Sequence, residues 1–563
     1  MSDIKKKLFY KNIELLNYSE KVITNLRIQN YNSANKYITR TINLLIELMG
    51  ILESNRTYFN GDDIILDSAM INKMLMEILN AQEVMDYVLL SDLFEDQLNS
   101  YLLYIQQFIM EKEPEISDES MFYNNLELIT KQDRQLAKLL EYRHTRKEAE
   151  DGYIIEATDS GLNTLAAFDQ NKKYYFHSRR HIFREAGTLA REWFSYDKTS
   201  YILYGLGFGY HINKLLDMDE TIHIKIFESS LDIIYYACRY ADLTKILTEN
   251  RVQLIYDPEL VKLCSAINHM EDQSEFLIHY PSLRNIANTE MRFLLEDYFI
   301  SYSSINNQLS KLNNNFNINI VRRDEPIDNL REIFRGKDLF IIAAGPSLDK
   351  NISELKHVGK NSIILSTGTV FKKLLKEEII PDYVIIIDAN DSVFQQIEGI
   401  KCNTVPLLYL STVYYKVPEF YQGIKYLICQ RDFTKSEEYA ANNILNLFQT
   451  GGSVSTTAID IGISFECKRI ICVGLDLAYT NNRDHASGTA SVNRINRVDI
   501  RQVKDIYGNM IPTGKNLDIY RKWIEKRIDG IDNIELLNAT EGGAFIKGMK
   551  HVHLKDIIKG NDF

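Results

Sequence analysis

Small, hydroxyl-bearing and acidic residues gather at the ends of apolar runs in the C-terminal half of the chain. Ala344-Gly345-Pro346-Ser347-Leu348 follows LFIIAA, Ser366-Thr367-Gly368-Thr369 ends NSIILSTGT, and Asp388-Ala389-Asn390-Asp391 ends DYVIIIDAND. Gly451-Gly452-Ser453-Val454-Ser455-Thr456-Thr457 opens a later segment, and Gly474-Leu475-Asp476-Leu477-Ala478-Tyr479 ends RIICVGLDLAY. Glycine lets backbone approach a ligand, proline suits the first helical turn, and a helix start presents amides and a positive dipole end to phosphate. Gly345, Pro346, Ser347, Thr367, Gly368, Gly452, Ser453 and Ser455 are therefore candidate nucleotide contacts. Thr540 and Glu541, after NIELLNA, add a hydroxyl and a carboxylate suited to ribose. Asp476, Asp388 and His485 are candidate bases, because each sits where a side chain of suitable pKa can meet a reacting group. One such loop is an ordinary turn; five converging strand ends and helix starts point to a ligand with base, ribose and phosphate parts.

A second glycine string, Gly205-Leu206-Gly207-Phe208-Gly209, follows the apolar run TSYILY, and Glu228 ends the next run. That spacing suits an adenosine or dinucleotide, although a tight strand-to-helix turn needs the same glycines. The chemistry after residue 340 accounts for one nucleotide reaction, so this string is expected to serve packing rather than catalysis. No metal-ligand spacing is evident: the six cysteines form no CxxC pair, and His551 and His553 alternate without a third partner. No GxxxxGK[ST] or GxSxG string occurs, which weakens kinase and hydrolase readings.

Strand–turn–helix units must hold these loops. The runs at the strand ends are short and continuously apolar, as expected for parallel strands covered on both faces. Residues 1–117 instead repeat apolar residues at helical spacing, as in SANKYITRTINLLIELMGILES. The expected organisation is α/β: two Rossmann-like open parallel sheets plus an N-terminal α-helical bundle. Its boundaries are 1–117 for the bundle, 118–325 for the first sheet and 326–563 for the second. A break at Asn60-Gly61-Asp62-Asp63 and a linker, MEKEPEISDES, interrupt the helical part. Hydrophobic residues make up 45% and charged residues 25% of 563, the balance of a folded chain. The net charge of -12 argues against nucleic acid or anionic membrane as partner. No signal peptide and no membrane-length apolar run is visible, and unpaired cysteines suit a reducing compartment, so a cytoplasmic location is expected.

These strings also carry a resemblance. YFHSRRHIFREA, YGLGFGYHI and FESS resemble the Rossmann-like domain of motility-associated factor (Maf) flagellin glycosyltransferases. AAGPSLDKNISELK, GGSVSTTAIDIG, VGLDLAYTNNRDHASG and LLNATEGGAFIKG resemble that family's catalytic domain, in the same order. The catalytic part is similar, too, to bacterial sialyltransferases with a GNGPSL motif. That likeness implies that Gly345, Pro346 and Ser347 hold a CMP moiety and that Asp476 and Tyr479 lie by the sugar. An asparagine of those enzymes falls near Asp388. Their catalytic histidine, in GHSKNTD, meets Thr513 in PTGKNLD here, so the base stays open among His485, Asp476 and Asp388. The family implies transfer of a nonulosonic acid (pseudaminic, legionaminic or a related sialic-acid-like sugar) from its CMP-activated form to Ser/Thr of flagellin. No cofactor or metal beyond the CMP-sugar donor is implied, the partners are donor and flagellin, and pairing with a second copy is left open. The alternatives are a pterin pyrophosphokinase-like enzyme using ATP–Mg, and a flagellin-binding scaffold without catalysis, in which the two sheets are the partner-binding surfaces; the 1–117 bundle is a candidate acceptor-binding region.

Overall fold

The computed structural model describes residues 3–59, 64–112, 119–146, 152–169, 172–271, 273–305, 308–320, 324–400, 404–489 and 500–559. The Asn60–Asp63 break, most of the linker after Lys112, and Cys402 lie outside them. The chain folds as two compact units, Met1–Leu295 and Glu296–Phe563.

In the first unit the helical spacing becomes helices Asp3–Arg27, Tyr31–Ser54, Ser68–Glu83, Tyr87–Asp92 and Ser100–Lys112. Asn30, Asp67 and Asp86 cap three of them by accepting from backbone N–H groups of the first turn. Their apolar stripes meet in one core, with Leu44, Leu48, Leu52, Leu102, Ile105 and Ile109 completely buried. The helices belong to the same compact unit as the first sheet rather than forming a unit of their own. Arg184, on helix Ile182–Trp193, pairs with Glu20 and Glu95 of the bundle at 3.1 and 2.8 Å. Strands β1 (Tyr153–Ala157), β2 (Asn163–Asp169) and β3 (Lys172–Tyr175) form an antiparallel meander that sequence periodicity did not show. Strands β4 (Ser200–Tyr204), β5 (His223–Glu228), β6 (Val252–Tyr256) and β7 (Ser274–Ile278) then form a parallel sheet in the order β6-β5-β4-β7.

The second unit is built on nine strands. They are β8 (Glu325–Pro326), β9 (Asp338–Ile342), β10 (Ser362–Thr367), β11 (Tyr383–Ile386), β12 (Leu407–Leu410), β13 (Lys425–Ile428), β14 (Arg469–Val473), β17 (Glu535–Asn538) and β18 (Lys550–His551). β15 (Ile500–Lys504) and β16 (Met510–Gly514) form a separate hairpin. The large sheet is parallel throughout, ordered β18-β17-β14-β9-β10-β11-β12-β13-β8. Alternate residues of β9 enter opposite cores, Leu339 and Ile341 one, Phe340 and Ile342 the other. Both faces are thus apolar, the physical reason for unbroken apolar runs. The chain builds outward from β9 through β10 to β13, then returns to place β14 on the other side of β9. The switch point therefore lies between β9 and β14, and their carboxyl ends are where such sheets bind ligands. The five described cysteines are free thiols, and burial pushes the Cys472 thiol up to about 12. No helix of the described residues is long and apolar enough to cross a membrane.

A buried cation fixes the helix Lys515–Ile528. Arg501 Nη1 donates to Asp297 at 2.6 Å and to Asp518 at 3.0 Å, and Nη2 donates to Glu296 at 3.1 Å. Lys515 adds a bond to Glu296 at 3.1 Å. The Arg501, Glu296 and Asp518 side chains are only 4–6% exposed. Removing one member of a buried ion network strands its partners at about 3–5 kcal/mol. Arg501→Met is expected to lower the denaturant midpoint of this unit accordingly; an unchanged midpoint would show that the cluster contributes no net stability.

Candidate functional site

At the switch point the loops after β9 and β14 are locked together. Gly345 N–H donates to Gly474 O at 2.8 Å. The Asp476 carboxylate accepts from Ser347 N–H at 3.2 Å, from Ser347 Oγ at 2.6 Å and from Thr480 Oγ1 at 2.6 Å. Ser347 is fully buried and Asp476 is 2% exposed, so this hydroxyl, amide and carboxylate are spent on one another. Burial raises the Asp476 pKa, against the opposing pull of Ser347 and Thr480. A Cβ on Gly345 would stand 2.2 Å from Asp476 Oδ1 and 2.5 Å from Gly474 O. The open backbone approach expected at Gly345 is therefore filled by Asp476 itself, and a side chain there breaks the fold's own contact. Pro346 is buried in the same turn.

Neighbouring loops lean on this clasp. Thr540 Oγ1 accepts from Leu475 N–H at 3.1 Å, and Gly543 lies so close that a Cβ would meet Asp476 Cα at 2.4 Å. Glu541 accepts from Asn351 at 3.2 Å and faces His553 at 3.3 Å. Burial opposes its charge, but Asn351, the Leu554 amide and His553 outweigh that and hold its pKa low. Tyr479 is pinned by its amide to Pro512 O at 2.8 Å. The loop carrying His485 is held by Asp349, which accepts from Lys373, Arg483 and Ser487. His485 faces Asp484 at 3.3 Å and stays one-third exposed. Leu477, Asn481, Asn482 and Glu541 all have positive φ, between 47° and 57°. Such strain on side-chain-bearing residues concentrates where function over-determines the backbone. Thr367 and Gly368 start helix Gly368–Lys376, and a Cβ on Gly368 would meet Gln396 Oε1 at 1.9 Å.

The same edge of the sheet opens further along. A cavity of about 580 Å³ is lined by Asp388 and Asn390 after β11, Thr412 after β12, Gln430 and Arg431 after β13, and Gln449 to Gly452. Its far wall is Asn516, Ile519, Tyr520 and Trp523 of helix Lys515–Ile528. Asp388 is open to solvent in the cavity, yet the protein packed around it raises its carboxyl pKa. A group on a concave wall meets both conditions at once. Two glycines admit the rings: a Cβ on Gly451 would meet Trp523 at 2.6 Å, and one on Gly452 (φ +87°) would meet Tyr520 at 3.0 Å. Thr456 Oγ1 accepts from Gly451 N–H at 2.9 Å and from Ser453 N–H at 3.3 Å, which sets the turn into helix Val454–Ser464. Ser455 is buried at its first turn. Of the candidates, the structure gathers Asp388 and Gly452 on this cavity, with Ser453 next in the chain. It gathers Gly345, Pro346, Ser347, Asp476, Thr540 and Glu541 at the clasp. The aromatic wall and Arg431 were not read from sequence; Tyr520 and Trp523 at i, i+3 behind a polar helix start were the available signal.

The glycine loop of the first unit is closed. Glu228 is fully buried, accepts from Leu206 N–H at 3.1 Å and Ser230 N–H at 3.0 Å, and burial pushes its carboxyl up to about 7. A Cβ on Gly205 would meet Ser282 at 2.5 Å, and one on Gly207 would meet His177 at 2.6 Å. The glycines and the acid of this loop are thus engaged by the protein's own groups.

Comparison with known proteins adds names to both sheets. Residues 118–275 match the family described as "Glycosyltransferase Maf N-terminal domain". Residues 307–482 match "6-hydroxymethylpterin diphosphokinase MptE-like". A 6-hydroxymethyl-7,8-dihydropterin pyrophosphokinase of Methanocaldococcus jannaschii is 26% identical over 156 residues, spanning 27% of this chain and 63% of that enzyme's length. A solved Maf glycosyltransferase from Magnetospirillum magneticum AMB-1 is similar over 79% of this chain and 77% of its own, at 15% identity and a TM-score of 0.39. Residues 118–275 are thus similar to the N-terminal domain of Maf glycosyltransferases, and residues 307–482 to the MptE-like family.

Proposed function

We propose that the second unit transfers a nonulosonic acid from a CMP carrier to a serine or threonine hydroxyl of flagellin, in the cytoplasm. The observation that carries this reading is the cavity at the sheet's carboxyl edge, where an open carboxylate faces an aromatic wall. The pyrimidine stacks against Tyr520 and Trp523, as flat ligand rings do on aromatic side chains. Arg431, exposed at the rim, pairs with the donor's phosphate or carboxylate. The start of helix Val454–Ser464, behind Gly452 and Ser453, stabilises the departing phosphate. The acceptor oxygen attacks the anomeric carbon, the carbon–oxygen bond to phosphate breaks, CMP leaves with the electron pair, and Asp388 takes the hydroxyl proton. Asp476 and Ser347 then act as positioning residues, with Thr367, Gly368, Ser455, Tyr479, Thr540 and Glu541 shaping the loops beside them; His485 stands nearest the clasp as the remaining candidate base. The same fold region supports a second reading, because residues 307–482 match the pterin diphosphokinase-like family. Incubation of the purified chain with CMP-nonulosonate and flagellin should raise the acceptor's intact mass by one sugar. A mass shift absent there, with AMP released from ATP–Mg²⁺ and hydroxymethyldihydropterin, selects the second reading.

Two variants separate the acids. Asp388→Asn should cut turnover by about 10²–10⁴-fold, the contribution of a positioned base, with an unchanged melting temperature. Asp476→Asn should lose turnover and stability together, because its amide turns a donor toward groups that already donate. Equal melting losses for both would remove Asp388 from the chemistry.

The acid limb of kcat/KM belongs to Asp388. A base must be deprotonated, and its pKa is raised by burial. Activity should therefore fall with decreasing pH from a point higher than an ordinary aspartate gives. An acid limb at or below the ordinary aspartate value would assign the base elsewhere.

A further inference from the structure

Three histidines far apart in sequence meet inside the first unit. His177 follows β3, His211 lies in helix Tyr210–Leu216, and His279 follows β7. They are 2%, 0% and 1% exposed. One ring nitrogen from each lies within 4.8 Å of one from each of the others. Their outer nitrogens are held by groups that fix the tautomer. His177 Nδ1 faces the Glu185 carboxylate at 3.4 Å, His211 Nε2 faces Gly205 O at 3.2 Å, and His279 Nδ1 faces Ser282 Oγ at 2.8 Å. Donation to those acceptors leaves the lone pairs on His177 Nε2, His211 Nδ1 and His279 Nε2. His211 Nδ1 and His279 Nε2 are buried with no hydrogen-bond partner, a state that destabilises the fold if nothing fills it.

We propose that His177, His211 and His279 form a structural site for a divalent transition-metal ion of the zinc class. A carboxylate, carbonyl or hydroxyl behind each imidazole is the arrangement that orients metal-bound histidines. Imidazole nitrogen is a borderline ligand that favours zinc, cobalt, nickel and copper over magnesium or calcium. The His211 and His279 rings lie 4.3 Å apart and nearly parallel, at 9°. Coordination at about 2.0–2.1 Å per nitrogen draws the three rings out of that stack. His177 Nε2 now accepts from Phe208 N–H at 3.0 Å, so metal binding exchanges this bond and moves the Gly205–Gly209 turn. The site is separate from the sheet that carries the proposed transfer chemistry and staples β3, β7 and the helix after β4 to one another.

The test uses the full chain, stripped with EDTA and titrated with Co²⁺ and then Zn²⁺ alone. One equivalent per chain is expected, with visible d–d absorption of low-coordinate cobalt and an X-ray absorption spectrum of the zinc form showing three imidazole nitrogens. His211→Phe, which keeps an aromatic ring of similar volume, should abolish that absorption. Should this variant fail to fold, the imidazole count from the wild-type zinc form decides by itself. No stoichiometric binding, fewer than three imidazoles, or full cobalt absorption in folded His211→Phe overturns the site.

Discussion

The second unit depends on one hydrogen-bonded contact, the Asp476 carboxylate set against Ser347. β9 and β14 are neighbours from which the sheet grows in opposite directions, and the backbone bond from Gly345 N–H to Gly474 O is the last that joins their outgoing chains before Ser347. Asp476 extends the tie with a side chain by taking the Ser347 amide and hydroxyl together. The next layer uses the same anchor. Ala544 N–H donates to Asp476 O at 2.7 Å, and Ala486 N–H donates to Ala344 O at 2.7 Å. A buried carboxylate is costly unless its acceptor sites are filled, and filling them here holds the loops after β9 and β14 in one arrangement.

The cavity beside this clasp is assembled from two sources. Its floor comes from the ends of β11, β12 and β13, inside the segment that matches the pterin diphosphokinase-like family. Its aromatic wall comes from helix Lys515–Ile528, beyond that segment. The helix is oriented by Arg501, whose acidic partners lie at Glu296 and Asp297 as well as on the helix itself at Asp518.

Much of the architecture was legible because strands buried on both faces leave continuous apolar runs, and because glycine, proline and hydroxyl residues mark where those runs turn. The polar strand ends of the second sheet were visible for the same reason. Which polar groups are already committed was not visible. Asp388 and Asp476 both follow an apolar strand, and only Ser347, from another strand end, separates the engaged acid from the open one. Tyr520 and Trp523 read as the apolar side of a helix until Gly451 and Gly452 are brought against them. The meeting of His177, His211 and His279 has no sequence spacing at all: the pairing of β4 with β7 brings the loops of His211 and His279 together, and His177 comes from the end of the β1-β2-β3 meander.

The large sheet also ends in an unusual way at both margins. β18 is two residues long, and β8 is two residues long with Pro326 as its second residue, opposite Leu427. A proline offers no N–H to a further strand, and a two-residue margin gives an incoming chain almost no ladder to extend. A nine-stranded sheet of this apolarity would otherwise be a template for edge-to-edge association. Its margins act as negative instructions against self-templating, so lengthening either one, or replacing Pro326, bears on solubility during folding before it bears on any ligand.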